Sequence, residues 1–152
     1  EFHEYMGQRF KPHKIQVTLD ASKEIQNLLF RYPEAVNILC QSFITTGFGG
    51  IIKNDDLRSQ IAHVISTRSS RFEAYLAQFS EKEQRVLGAL AQLHWVKQPS
   101  SKEFCSLAKL TPRGILWSFR KFLDHSVVEK LEDGYRIQDP LLFYYLRQTR
   151  RV

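Results

Sequence analysis

Cysteine, long apolar runs and a leader segment are scarce or missing in this sequence of 152 residues. Its two cysteines, Cys40 and Cys105, support neither a disulfide framework nor a zinc-binding pattern, so we expect a reducing, cytoplasmic setting. No apolar run approaches the roughly 18–20 residues that cross a bilayer, and no signal peptide opens the chain, so we expect no membrane partner. The chain begins with Glu1 rather than methionine, and we expect it to be a piece of a longer polypeptide.

The usual patterns of catalytic residues are also missing. No glycine-rich loop ends in the Lys-Ser/Thr pair that holds phosphates in P-loop enzymes. The glycines of residues 46–50 follow an expected helix rather than a strand, and we interpret them as an ordinary loop. The five histidines lack metal-ligand spacing. We therefore expect no metal site and no catalytic residue in this chain; an enzyme with an unrecognised kind of site is the alternative.

Charge is unevenly distributed between the two halves of the chain. The 22 Lys and Arg residues against 16 Asp and Glu residues give a net charge of +6, of which residues 80–152 carry +5. This contrast predicts two modules. A basic second module is typical of a surface that meets nucleic acid or an acidic partner, although an ordinary solvated surface gives the same balance.

The first half, residues 1–78, has the apolar spacing of helices. Thr18 is expected to cap the second helix, Pro33 to begin the third and Asn54 to cap the fourth. A short fifth helix is expected over about residues 70–78. No segment of useful length alternates as a strand does, so we predict a helical bundle.

The second half, residues 79–152, has a different order of elements. Capping boxes, in which a serine precedes a glutamate by three residues, begin helices at Ser80 and Ser100. Thr111 followed by proline begins a third helix, and two strand-like runs flank Asp133-Gly134, a strong hairpin signal. Helix, short strand, helix, turn, helix and hairpin is the order of a winged helix-turn-helix. The alternative is a generic helical bundle that ends in a hairpin.

The helix after Thr111 would be the one that enters the DNA major groove in a helix-turn-helix. Its expected binding residues, with one from the preceding helix, are Lys109, Arg113, Gly114, Trp117, Arg120 and Lys121. The basic members could pair with guanine or phosphate. Trp117 and its neighbour Leu116, however, suit a protein contact at least as well, and the acidic hairpin tip, Glu132-Asp133, would repel phosphate.

A longer pattern runs through the second half. Its residues are Ser80, Gln84-Arg85-Val86-Leu87, Ala91, Thr111-Pro112, Ile115, Phe119, Phe122-Leu123, Val127-Val128-Glu129-Lys130, Gly134-Tyr135-Arg136-Ile137, Asp139-Pro140-Leu141 and the stretch Phe143–Arg147. This pattern resembles the C-terminal winged helix of prokaryotic AAA-type ATPases of the archaeal-ATPase group, related to the signal-transducing NTPases. The first half resembles their helical lid. Phe2, Tyr5-Met6 and Phe10 match its first helix, and Tyr32-Pro33 matches a Gly-x-Pro or His-Pro element, with Arg31 in the place of glycine.

The resemblance implies a lid over residues 1–78 and a winged helix over 79–152, with the ATPase core upstream of residue 1. ATP and Mg²⁺ would bind only in the full-length protein, where Arg31, Tyr32 and Pro33 would lie near the nucleotide, and this part alone would not hydrolyse ATP. The winged helix would bind duplex DNA, dock a protein partner or regulate the core. The alternative is a free-standing winged-helix transcription regulator whose first half is a dimerisation or sensor domain.

Overall fold

A computed structural model describes all residues, 1–152, and is mostly α-helical. The chain divides into two units, Glu1–Arg68 and Ser69–Val152. The first is a helical bundle and the second is a winged helix with a small hairpin, as the sequence predicts. None of the nine helices has both the length and the apolar character needed to cross a membrane.

The first unit contains four helices, a single 3₁₀ turn and two short strands. In chain order they are α1 (Phe2–Phe10), the 3₁₀ turn (Lys11–His13), β1 (Ile15–Val17), α2 (Leu19–Leu28), α3 (Pro33–Thr45), β2 (Gly50–Ile52) and α4 (Asn54–Thr67). The Thr18 hydroxyl caps α2 by accepting from the amide of Ala21 at 3.1 Å, as predicted. The predicted cap at Asn54 is wrong, because α4 already begins there: Lys53 is the N-cap residue, and its amide donates to the Asp56 carboxylate at 2.8 Å.

The core of the first unit forms where the apolar faces of its helices meet. Phe10 of α1 and Phe43 of α3 are fully buried and make an edge-to-face contact with ring centres 6.2 Å apart. Ile25 of α2 and Leu57 of α4 are also fully buried. The helices are therefore held by apolar burial along the stripes that their sequence spacing indicates.

The pair of strands in this unit is absent from the sequence prediction. β1 and β2 form a two-stranded parallel sheet in which Ile15 lies opposite Gly50 and Val17 lies opposite Ile52. Each strand has three residues, which is too short for an alternating pattern to stand out. Ile15 and Ile52 are almost completely buried, so apolar burial holds each strand in place.

The second unit contains five helices and three strands. They are α5 (Ser69–Leu76), α6 (Glu81–Leu93), β3 (Trp95–Val96), α7 (Lys102–Ala108), α8 (Pro112–Asp124), β4 (Val128–Leu131), β5 (Gly134–Ile137) and α9 (Pro140–Thr149). Helix α5, which the sequence analysis assigns to the first module, belongs to this unit. Its Phe72 ring stacks on Tyr145 of α9 with ring centres 4.9 Å apart, and its Glu73 carboxylate accepts from Arg150 at 2.8 Å.

The helix starts and the hairpin fix the winged-helix topology. The strands pair antiparallel in the order β3-β5-β4. The capping box at Ser80 is present as predicted. The predicted cap at Ser100 is wrong by one residue: the hydroxyl of Ser101 accepts from the amide of Phe104 at 3.2 Å, and Ser100 lies in the preceding turn. In the hairpin, Glu132 and Asp133 form the turn and Gly134 is the first residue of β5.

Candidate functional site

The start of α8 is built by its own local sequence. The Thr111 hydroxyl accepts from the amide of Gly114 at 3.2 Å, and Pro112 occupies the first helical turn, where a missing N–H costs nothing. Lys109 ends α7 in a left-handed conformation with φ 54°, which turns the chain into α8. This geometry leaves Arg113 exposed in the first turn of α8, at the positive end of the helix dipole.

The exposed surface of α8 carries a shallow groove, here called the α8 face. The groove has a volume of about 530 Å³ and is lined by Arg113, Leu116, Trp117 and Arg120. Trp117 is 62% exposed and Leu116 is 54% exposed. The guanidinium carbon of Arg120 lies 5.9 Å from the centre of the Trp117 ring, which is within cation–π range. Neither Arg113 nor Arg120 forms a salt bridge, so both charges face solvent.

Lys121, which the sequence analysis groups with these residues, does not line the groove. Its ammonium nitrogen lies 3.1 and 3.2 Å from the two Glu83 carboxylate oxygens and 5.2 Å from the centre of the Phe79 ring. Burial alone would raise the pKa of Glu83, but the Ser80 amide and the Lys121 charge outweigh it, and the pKa is lowered. Lys121 therefore ties α8 to the start of α6. Of the other expected site residues, Lys109 is exposed on the turn before α8, and Gly114 lies half-buried beneath the cap.

The wing offers no unpaired positive charge at its tip. Glu132 and Asp133 form the exposed turn, as the sequence indicates. Behind the tip, the Arg136 guanidinium pairs with the Glu129 carboxylate across β5 and β4 at 2.5 Å. Lys130 lies 5.9 Å from the centre of the Tyr135 ring. The wing therefore presents carboxylates outward, which is unfavourable beside a phosphate backbone.

The expected nucleotide-proximal residues lie together at the turn between α2 and α3 of the first unit. Arg31 is exposed and has φ 56°, and its amide donates to the carbonyl of Gln26 at 2.7 Å. Tyr32 is the N-cap residue of α3, and Pro33 is its first residue. A positive φ is the conformation that glycine adopts most readily, so Arg31 has the backbone conformation suited to the glycine of the resembling element.

A groove of about 440 Å³ lies beside Pro33, and the polar group that borders it was not predicted from the sequence. The lining residues are Glu1, Phe2, Tyr5, Pro33 and Asn37. The Tyr5 hydroxyl donates to the Asn37 amide oxygen at 2.6 Å, and Arg9 donates to the same oxygen at 3.0 Å. These partners lie more than 25 positions apart, so the only sequence signal was the helical spacing of Tyr5 and Arg9. No group of three or more His, Cys, Asp or Glu residues in the chain is arranged to hold a metal ion.

Within residues 69–152, helices α6, α7 and α8 are followed by a hairpin that the short strand β3 extends to three strands, and this arrangement defines the class of winged-helix domains. A family model described as a probable winged helix domain matches residues 70–148, and the chain belongs to that family. No curated protein matches the chain. A solved structure with a similar fold is the Walker-type ATPase of Pyrococcus abyssi, with a TM-score of 0.69 and 14% sequence identity. The match covers 96% of this chain and 41% of that chain, so this chain spans less than half of the ATPase.

Proposed function

We propose that this chain is the C-terminal lid and winged helix of an AAA-type ATP-binding protein. The observation that carries the proposal is the fold match to a Walker-type ATPase over 96% of the chain, which includes the helical unit as well as the winged helix. A free-standing winged-helix regulator would give no reason for the helical unit to match the same ATPase. The positive φ of Arg31, at the glycine position of the Gly-x-Pro element, supports the assignment of the first unit as a lid.

In this proposal the lid contributes to a nucleotide site that another part of the protein completes. The chain has no phosphate-binding loop, so the phosphates and Mg²⁺ of ATP are held elsewhere. Besides Glu1 and Pro33, the groove is lined by the rings of Phe2 and Tyr5 and the amide of Asn37, which are of the kind that stack on a purine and hydrogen-bond its edge. Tyr32 and Pro33 position the start of α3 next to it. The part of the site provided here is therefore the side of the nucleotide remote from the phosphates.

The nucleotide assignment is tested with the full-length protein. We expect a fluorescent ATP analogue to bind the full-length protein, and Pro33→Gly together with Tyr5→Ala to weaken that binding at least fivefold. Residues 1–152 alone are expected not to hydrolyse ATP. Lys23→Ala, on the exposed surface of α2, is the matched control and leaves binding unchanged. A natural start codon close to residue 1, or a full-length protein that binds no nucleotide, would refute the assignment.

We further propose that the winged helix docks a protein partner through the α8 face. Tryptophan and arginine are the residue types most enriched among those that dominate protein interfaces. Here Trp117, exposed over 62% of its surface, is flanked by two arginines that have no carboxylate partner. The acidic tip of the wing, Glu132-Asp133, opposes the alternative of a close phosphate backbone. The docked surface is expected to be apolar at its centre and acidic at its margin.

Photo-crosslinking distinguishes a protein partner from DNA. With p-benzoylphenylalanine in place of Trp117 in the full-length protein, we expect a covalent adduct with protein after irradiation, either within the same chain or to another. The same amino acid at exposed Gln78 is the matched control and should give none. Adducts at both positions, or at neither, would contradict the proposal, as would loss of the position-117 adduct when duplex DNA is added.

Duplex DNA is the second candidate ligand, because Arg113 and Arg120 form no salt bridge and Lys109 lies exposed on the preceding turn. Such contacts are sequence-independent, and we expect affinity no tighter than micromolar that falls steeply with salt. Titration of a labelled duplex at several salt concentrations measures this. Arg113→Ala with Arg120→Ala should weaken binding, whereas the equal loss of charge in Lys82→Ala with Lys102→Ala should not. Equal effects of the two pairs would end the DNA interpretation for this face.

A further inference from the structure

Strand β1 of the first unit has one unpaired edge. Its only partner is β2, and the amide of Gly50 in β2 donates to the carbonyl of Lys14 at 3.3 Å. Because backbone groups alternate along a strand, Lys14 and Gln16 direct theirs towards β2, and Ile15 and Val17 direct theirs away from it. No backbone hydrogen bond of the chain uses the outward groups of Ile15 and Val17. Ile15 is only 3% exposed, so the accessible outward groups are those of the half-buried Val17. An edge of this kind is a template for another strand.

A groove of about 590 Å³ follows this edge. Its other residues come from α1 and the turn after it, and the complete lining is His3, Gly7, Lys11, Lys14, Ile15, Gln16 and Val17. Lys11 and Lys14 are exposed, and no carboxylate side chain lines the groove. The groove therefore combines unpaired backbone groups of β1 with the positive charges of Lys11 and Lys14, which favours an acidic segment in an extended conformation.

Gly7 gives an independent reason to expect a ligand in this groove. Glycine is the least favourable residue in a helix interior apart from proline, and Gly7 lies in the middle of α1. A Cβ atom added at this position would meet no other atom within 4 Å, so packing within the chain does not require the glycine. A position without a side chain lets another backbone approach closely, and Gly7 is the part of α1 that lines the groove.

We propose that this groove binds an extended acidic peptide segment of a partner protein, which adds to β1 as a further strand. The outward N–H and C=O of Val17 hydrogen-bond the peptide backbone, Lys11 and Lys14 select its carboxylates, and Gly7 leaves room for its main chain. The two strands observed here are few for a parallel sheet, and a third strand extends it. The site lies wholly within the first unit and does not depend on the proposed ATPase assignment.

The first test uses a fluorescein-labelled octapeptide of alternating glutamate and valine, titrated against residues 1–152 with anisotropy as the readout. We expect saturable binding and slower amide hydrogen exchange at Val17. The double substitution Lys11→Glu with Lys14→Glu should lower affinity at least tenfold. An octapeptide of alternating lysine and valine is the matched control and should not bind. Equal binding of the two peptides, or unchanged exchange at the Val17 amide, would overturn the proposal.

The second test separates the role of Gly7 from its effect on stability. Gly7→Ala is expected to raise the melting temperature by about 2–4 °C and to lower peptide affinity at least fivefold. Gln8→Ala, at the exposed neighbouring position, should leave affinity unchanged. Higher stability with unaltered affinity would remove Gly7 from the site and overturn the proposal. Displacement of the acidic peptide by duplex DNA, or by a second copy of the chain in sedimentation experiments, would overturn it in favour of that occupant.

Discussion

Gly134, the first residue of β5, is one of two glycines of the winged helix at which a side chain would overlap backbone atoms, and of those two it alone also has a positive φ. Its φ is 153°, outside the range that other residues adopt easily. A Cβ atom would lie 2.5 Å from the Val96 carbonyl oxygen, 2.9 Å from its carbon and 3.0 Å from the Lys97 Cα atom. All three are backbone atoms, so no side-chain rotation relieves the overlap. Strand β3 would have to move by about 1 Å to restore ordinary contact distances.

We therefore expect Gly134→Ala to lower the free energy of unfolding of this unit by about 2–6 kcal/mol. Overpacking contributes about 1–3 kcal/mol, and a backbone conformation that is nearly restricted to glycine contributes about 1–3 kcal/mol. Urea unfolding followed by tryptophan fluorescence measures the change, because both tryptophans, Trp95 and Trp117, belong to the second unit. With a slope of about 2 kcal/mol per molar, the midpoint should fall by about 1–3 M.

Gly114→Ala is the matched control in the same unit. Its Cβ atom would lie 3.4 Å from the Thr111 hydroxyl, an ordinary contact, and alanine is the better helix former. We expect no loss of stability and a gain of up to about 1 kcal/mol. An unchanged midpoint for Gly134→Ala, or equal losses for the two variants, would refute the argument from close backbone approach.

Three further predictions concern a carboxylate, a backbone conformation and a thiol. The hydrogen bond from Arg150, followed by that from Tyr145, lowers the pKa of Glu73. The ionised carboxylate therefore contributes its full stability above the unfolded-state pKa, and this contribution is lost as pH falls through the folded-state pKa. We expect the urea midpoint of the Glu73→Gln variant to change less between pH 6 and pH 3 than that of the unsubstituted protein. Arg31→Gly should raise the free energy of unfolding by about 1 kcal/mol, because φ is 56° and glycine adopts a positive φ without strain. Lys23→Gly, inside α2, should lower the free energy of unfolding by about as much. Urea titration measures both changes. Burial raises the pKa of the Cys40 thiol to about 11, so a thiol reagent should label it only as fast as the first unit opens; fast labelling in the folded protein would contradict this.

The helix starts show which features can be predicted from sequence. The caps at Thr18, Ser80 and Thr111 are correct because a cap and the amide it binds lie within three residues. The cap at Ser100 fails by one position because two serines are adjacent, and only the start of α7 decides between them. Strands β1 and β2 are not predicted for a different reason. They pair across 35 positions of the chain, and a strand of three residues is too short to show an alternating apolar pattern.

The residues of the candidate site also divide into those that the sequence predicts correctly and one that it does not. A helical projection correctly puts Arg113, Trp117 and Arg120 on the outer face of α8. It also puts Lys121 outside, but the partner of that lysine is Glu83, 38 positions earlier, and an ion pair between helices has no local signature. Periodicity therefore identifies which side chains leave the core. It does not reveal which of the exposed charges the protein uses for its own stability.

The three glycines that lie within helices differ in what surrounds them. A side chain at Gly88 of α6 would collide with the backbone of Arg150, and one at Gly114 would touch the Thr111 cap, so neighbouring parts of the chain surround both positions. A side chain at Gly7 of α1 would meet open space. Glycine at this position lowers the stability of the helix, and no packing contact within the chain requires it. Gly7 lines the same groove as β1, so the absence of a side chain there agrees with the proposed peptide site.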